Sequence, residues 1–260
     1  SVIASMGEKL KNRGPDSWGV WLSSHCAFAQ TRLIVIDPEG GVQPMIKEYE
    51  DKKYVIIYNG ELYNTEEIRH ELALLGYTFK GHSDTEVLLT SYIEWGTECV
   101  YKLNGIYAFA VWDDHENKLF LSRDRLGVKP LFYTHKNGSL IFGSEIKAIL
   151  AHPYIDAEVD AEGLAEIFVM GPTRTPGVGI FHNINELKPG HCLTYSRSGI
   201  KVEKYWSLMS HIHEDDIDTT MEKIRFLLDD ASKRQLVSDV PLCSLLSGGL
   251  DSTAVSVFAN

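Results

Sequence analysis

The residues Ser247-Gly248-Gly249-Leu250-Asp251-Ser252 follow the apolar stretch 241–246 and precede a helical pattern. An apolar strand, a Gly-rich turn and a helix start gather backbone N–H groups and the positive helix end around one point, which selects an anion such as phosphate. Ser247 and Ser252 add hydroxyl donors. The carboxylate of Asp251 repels an anion and suits instead a metal ion that accompanies phosphates, Mg²⁺ being the natural one. No GxxxxGK[ST] segment occurs, so the lysine of a P-loop is missing and pyrophosphate fits better. The plainer alternative is a Ser/Gly turn that only caps a helix.

A second set of residues lies earlier. Arg32, in Arg32-Leu33-Ile34-Val35-Ile36-Asp37, offers a bidentate cation for a carboxylate, and Asp84, in Ser83-Asp84-Thr85-Glu86, offers a carboxylate for an ammonium group. Asn59 and Gly60, followed by Glu61, supply an amide and a backbone N–H of the kind that stabilises a developing oxyanion. Singly, each has an ordinary role: a surface ion pair, a hairpin turn, a helix N-terminal charge. Together they are the parts of a site for a free α-amino acid. Cys26, Cys99, Cys192 and Cys243 show neither a CxxC pair nor a His at metal-ligand spacing, and are expected to be four buried free thiols. A nucleophilic thiol would need a base and an electropositive setting, and none is visible nearby.

Positioning these groups requires a scaffold. Residues 18–22 and 26–33 carry strand patterns, and 54–58 form another strand that is expected to end in a sharp turn at Asn59-Gly60, with the glycine at positive φ. Residues 64–75 and 84–95 read as helices stopped by Gly76 and Gly96, the second opened by a capping box of Ser83 and Glu86. Between 106 and 143, four strand patterns separated by turn clusters predict an antiparallel meander; 145–151 reads as a short helix, and 191–206 as one more hairpin. Strands adjacent in sequence, with two central helices, predict a layered α+β domain over residues 1–206. A polar linker is expected at 207–216. Ile217, Met221, Ile224, Leu228 and Ala231 then share one helical face, 241–246 reads as a strand, and a helix begins near Ser252. Residues 217–260 are thus expected to open a second domain too short to close its own core.

The chain has 260 residues, 44% of them hydrophobic, and a formal net charge of −11. That balance opposes nucleic-acid binding, which needs clustered Lys and Arg. No apolar run approaches the ~20 residues of a membrane span, and residues 1–13 lack a signal-peptide core, so a cytoplasmic protein is expected.

Asn12-Arg13-Gly14-Pro15-Asp16, the Arg32 and Asp84 segments, Asn59-Gly60-Glu61-Leu62-Tyr63-Asn64, and Arg123-Asp124-Arg125-Leu126-Gly127-Val128-Lys129-Pro130-Leu131-Phe132-Tyr133 together resemble class II glutamine amidotransferases. With residues 247–252 added, six motifs stand in the order of the glutamine-hydrolysing asparagine synthetase family, a likeness running from about Lys9 to the C-terminus. The resemblance implies an N-terminal-nucleophile hydrolase, an αββα sandwich of antiparallel sheets, followed by the truncated start of an α/β adenine-nucleotide hydrolase-like domain. It implies that Arg32 binds the glutamine α-carboxylate and Asp84 its α-amino group, with Asn59 and Gly60 as oxyanion hole and Glu61 beside the substrate. Leu245, Ser247, Gly248, Gly249, Asp251 and Ser252 fall in the ATP site, with Mg²⁺ at Asp251.

The implied activity is that of a ligase of asparagine biosynthesis: ammonia from glutamine amidates aspartate through an aspartyl-AMP, and ATP becomes AMP and pyrophosphate. A homodimer is implied too. Two alternatives stay open: another carboxylate acceptor, or a non-catalytic chain that only binds ligand. The family's nucleophile is an N-terminal Cys on an opening strand, whereas the residues around Ser1 match the family's first helix. The nucleophile strand is therefore expected to be missing from this sequence and the chain alone to be inactive; Ser1 with its free amine is the chemical alternative. Gln30 and Ile34 stand where relatives more often show His and Ser. Residues 123–133 and Ser144-Glu145-Ile146-Lys147 are expected to be structural, or else part of an inter-domain ammonia path.

Overall fold

The computed structural model describes residues 1–171 and 173–259. In chain order its first elements are α1 (Val2–Glu8), β1 (Ser17–Leu22), β2 (Ala27–Arg32), β3 (Met45–Tyr49), β4 (Lys52–Leu62), α2 (Thr65–Leu74), α3 (Asp84–Trp95), β5 (Gly105–Asp113) and β6 (Lys118–Arg123). They are followed by β7 (Phe132–Lys136), β8 (Ser139–Gly143), α4 (Ile146–Ile149), α5 (Ala161–Ala165), β9 (Asn185–Glu186), β10 (His191–Ser196), β11 (Gly199–Lys204), α6 (Ile217–Arg234) and α7 (Leu250–Phe258).

The six-stranded antiparallel sheet β11-β10-β6-β5-β4-β3 is covered on both faces. Along β5, Tyr107, Phe109 and Val111 enter one core with Leu72, Leu88 and Tyr92 of the helices α2 and α3. Ala108, Ala110 and Trp112 point the other way, into a core with Phe28 of β2, Leu131 and Leu187. Period-two alternation with both faces buried explains the continuous apolar runs 54–58 of β4 and 106–112 of β5. The second layer consists of the pair β1-β2 and the three-stranded sheet β8-β7-β9. Its outer side packs on Met6 of α1 and Ile149 of α4, together with Phe132 and Ile141. Helices, sheet, sheet and helices make the αββα sandwich implied by the sequence resemblance.

Several expectations are corrected. The meander over 106–143 is split: β5 and β6 belong to the large sheet, β7 and β8 to the second layer. The crossing segment is folded by Arg123 and Asp124. Arg123 donates to the carbonyls of Lys129, Gly127 and Leu187 and pairs with Glu186 at 2.9 Å. Asp124 accepts from the N–H groups of Tyr107, Leu126, Val128 and Lys129. Both side chains are consumed in holding backbone, a structural role.

Asn59-Gly60 is no turn. β4 runs through both, pairing Asn59 with Ala108 and Gly60 with Tyr107, and Gly60 is not among the glycines at positive φ. The glycine is needed for close approach instead: a Cβ there would lie 2.2 Å from the Ile106 carbonyl oxygen. Ser83 does cap α3, accepting from Thr85 N–H at 3.1 Å, but the reciprocal half of the capping box is absent. Glu86 turns instead to the N–H groups of Lys80 and Gly81 and to the Lys47 ammonium.

Residues 241–246 form no ladder, since no strand among the described residues lies beside them. Cys243 is consequently exposed and Cys26 half-buried; only Cys99 and Cys192 are buried, and all four thiols are free. The last helix starts at Leu250, two residues before the expected position. The apolar face of α6 lies open, with Ile217 71% exposed. Among the described residues no helix is long and apolar enough to cross a membrane.

Candidate functional site

Arg32, Asn59, Gly60, Glu61 and Asp84 all line one polar cavity of about 230 Å³. Arg32 ends β2, Asn59 to Glu61 lie near the end of β4, and Asp84 opens α3, so the cavity sits where three layers meet.

Arg32 is buried, and its guanidinium donates to three carbonyls of the following loop: Ile36 at 2.6 Å, Asp37 at 2.9 Å and Pro38 at 3.1 Å. Gly41 lets that loop close, because a Cβ there would meet the guanidinium at 2.2 Å. Neutral acceptors fix the group without cancelling its charge. Burial disfavours the Arg32 cation, and the nearby carboxylates of Asp84, Asp37 and Asp16 oppose that effect. A ligand carboxylate would supply the counter-charge through the donors that remain.

Asp84 is buried as well, and burial pushes its carboxyl above the ordinary value. The Tyr58 hydroxyl donates to it at 3.0 Å and the Leu62 N–H at 3.3 Å, which favours the ion again. Such a carboxylate gains from an ammonium partner. Tyr58 and Gln43, whose side-chain oxygen accepts from Tyr58 N–H at 2.6 Å, were not picked out from the sequence. Tyr58 sits inside an apolar run, where a tyrosine looks like core; only its place one residue before Asn59 hinted at more.

The Asn59 side-chain nitrogen is buried and has no hydrogen-bond partner among the described residues. Leaving a buried amide donor unmade costs about 1–3 kcal/mol, so this donor is held available. Gly60 N–H follows it along β4. Replacing Gly60 by Ala is expected to lower unfolding free energy by roughly 1–3 kcal/mol through overpacking against β5. Urea unfolding measures this, and an unchanged midpoint would mean that β4 can draw away from β5.

A larger cavity of about 550 Å³ shares Gln30, Tyr58 and Asn59 with the first. Its walls are β2 and β8, each paired on one side only, and its floor includes Ala108, Ala110 and Trp112. Gln30 donates to the Tyr58 carbonyl at 3.1 Å between the two spaces. Ile34, at the other departure from the family pattern, is held through its N–H by Asp16 at 2.9 Å. Cys26 lines the larger cavity, but burial pushes its thiol up to about 12, far from a thiolate at neutral pH. Ser1 is exposed at the start of α1 and lines neither cavity.

The Ser247–Ser252 segment forms a turn with Gly248 at φ 84°, leading into α7. The hydroxyls of Ser247 and Ser252 lie 3.0 Å apart, and Ser252 donates to Gly249 O at 3.1 Å. Leu245, Ser247, Gly248, Gly249, Asp251 and Ser252 are in one stretch of chain, all but Ser252 exposed. Asp251 is the carboxylate of this segment that could meet a Mg²⁺ shared with a polyphosphate.

Residues 1–206 match the glutamine amidotransferase domain family, and residues 223–260 match asparagine synthase. The chain is 57% identical over 254 residues to asparagine synthetase [glutamine-hydrolyzing] 3 of Bacillus subtilis, covering 98% of this chain and 41% of that protein. It is 36% identical over 255 residues to asparagine synthetase [glutamine-hydrolyzing] 1 of the same organism, covering 98% and 40%. The chain therefore spans about two fifths of the length of these relatives. Among solved structures, the allosteric regulatory enzyme of purine biosynthesis aligns with a TM-score of 0.50 at 21% identity, over 70% of this chain and 36% of that one. That likeness concerns the fold alone.

Proposed function

The chain belongs to the glutamine amidotransferase domain family, and on that premise we propose that it is the glutamine-handling part of an asparagine synthetase together with the first part of the ATP-binding domain. The domains are residues 1–206 for glutamine, a linker over 207–216, and 217–260 for the start of the synthetase. The observation that carries this reading is the convergence of a buried cation, a buried carboxylate and an unpartnered amide donor in one small cavity.

Arg32 holds the glutamine α-carboxylate, Asp84 its α-ammonium, and Glu61 lies alongside. The side-chain amide then reaches Asn59 and Gly60, whose N–H groups stabilise the oxyanion formed when a nucleophile attacks. The nucleophile arrives from the larger cavity: an extended segment between the free edges of β2 and β8 would complete both ladders and end beside Asn59. Tetrahedral collapse releases ammonia for the second half-reaction. There, ATP is met by the backbone N–H groups of Ser247 to Ser252, with Leu245 beside them and Asp251 toward Mg²⁺. When bound, Mg²⁺ neutralises phosphate charge. The acceptor is aspartate, activated as aspartyl-AMP; the protein is cytoplasmic and homodimeric on this reading.

The complete protein is expected to convert glutamine, aspartate and ATP into asparagine, glutamate, AMP and pyrophosphate, followed by chromatography of all four products. ADP and phosphate in their place would overturn the synthetase assignment, and AMP release with a different carboxylate would replace the acceptor only. Glutamine binding without any hydrolysis would favour a ligand-binding role.

A further inference from the structure

The loop that aims Arg32 is gripped from outside the amidotransferase domain. Asp239, between α6 and the Ser247–Ser252 turn, lies 202 positions along the chain from Asp37, yet its carboxylate accepts from Asp37 N–H at 2.7 Å. Its own N–H donates to Val35 O at 2.9 Å, so both sides of Ile36 are held. The peptide unit joining Ile36 to Asp37 is the decisive element. Its N–H points to Asp239, and its C=O accepts the shortest of the Arg32 bonds, 2.6 Å. A peptide unit is planar and trans, so fixing the direction of its N–H fixes the direction of its C=O. The same arrangement lets the carboxylate polarise the carbonyl that Arg32 uses.

His82 reinforces the grip. Its Nε2 lies 2.7 Å from the same Asp239 oxygen, and its Nδ1 lies 3.5 Å from Asp37. Asp37 in turn accepts from the N–H groups of His82, Ser83 and Gly40 at 2.8, 3.0 and 2.7 Å, which ties the loop to the start of α3 and so to Asp84.

We propose that Asp239 is a positioning residue for glutamine binding, acting through the Ile36–Asp37 peptide on Arg32, so that the glutamine pocket is completed by a residue of the C-terminal segment. This rests on the glutamine reading of the cavity. It places an external support of the pocket eight positions before Ser247, on the stretch that leads into the nucleotide turn.

The test uses the complete protein. Asp239→Ala is expected to raise the glutamine KM roughly tenfold with kcat almost unchanged, as for a lost charged hydrogen bond that is partly open to solvent. Calorimetry with glutamine and with 4-aminobutanamide, which lacks the α-carboxylate, gives the specific readout. The preference for glutamine should fall by the same factor, because only the carboxylate contact is affected. Asp239→Asn keeps an acceptor oxygen and is expected to stay within about threefold of the parent. Ammonia-dependent synthesis should be retained in both, reporting an intact fold. Glu67→Gln weakens the Arg234–Glu67 pair, a separate tether of α6 to α2 at 2.6 Å, and should leave the glutamine KM unchanged. Should Asp239→Ala not fold, the exposed His82→Ala removes half of the clamp and carries the test, with a rise of about threefold.

An unchanged KM in Asp239→Ala, or in His82→Ala where that variant stands in, overturns the proposal, as does equal weakening of glutamine and 4-aminobutanamide. A parent protein that neither binds nor hydrolyses glutamine defeats instead the reading on which the proposal rests.

Discussion

Asn59→Ala is expected to lower glutamine turnover by roughly 10²–10³, about 2.7–4 kcal/mol, the usual cost of one oxyanion donor. The Asn59 nitrogen is buried without a partner among the described residues, so none of their acceptors competes for it beforehand. On the proposed role the donor would act as charge develops on the amide oxygen, so the effect is expected on kcat with little change in the glutamine KM. Asn59→Asp has nearly the same shape but brings an anion toward an oxyanion, and is expected to be at least as slow. Steady-state glutaminase assays of the complete protein measure both, with ammonia-dependent synthesis as control for folding. Unchanged turnover in Asn59→Ala would remove Asn59 from the oxyanion hole.

Arg32→Ala is expected to reduce kcat/KM for glutamine by two to three orders of magnitude, within the roughly 2–5 kcal/mol that follows truncation of one member of a buried charged pair. Here the loss appears chiefly in KM, because the α-carboxylate is bound equally in ground and transition states. Arg32→Lys should recover little. A lysine ammonium has three donors at one point, whereas Arg32 spreads its donors over the carbonyls of Ile36, Asp37 and Pro38 and still presents a cation to the cavity. Glutamine titration with each variant tests this, and an affinity within threefold of the parent would move the carboxylate site elsewhere.

Much of the scaffold is visible in the sequence because local signals and tertiary packing agree there. Gly76 and Gly96 stop α2 and α3 at φ 97° and 57°, and Ser83 caps α3, as their residue types announce. Asn59-Gly60 misled for the opposite reason. The pair is the strongest short hairpin signal, yet β5 lies so close that only a glycine fits, and the strand continues through both residues. A sequence pattern does not distinguish a glycine required for its φ from one required for its missing Cβ. Residues 241–246 have strand composition, but a strand exists only beside a partner, and none of the described residues provides one.

The cavity residues Arg32, Asn59, Gly60, Glu61 and Asp84 were marked by their chemistry as a set, and they do share one cavity. Their supports were not visible. Gln43, Tyr58 and Asp239 carry no local motif, and each acts through hydrogen bonds whose partners are far along the chain.

β4 places Tyr58 and Asn59 next to each other, one turned to the helices and Asp84, the other to the space between the sheets. The strand therefore works as a ruler. The support of Asp84 and the donor that meets the far end of the ligand are separated by a single peptide step, and neither can be moved along the strand without moving the other. On the glutamine reading, a strand buried on both faces thus couples the ammonium site to the oxyanion donor, a link that substitutions at the rim cannot reset.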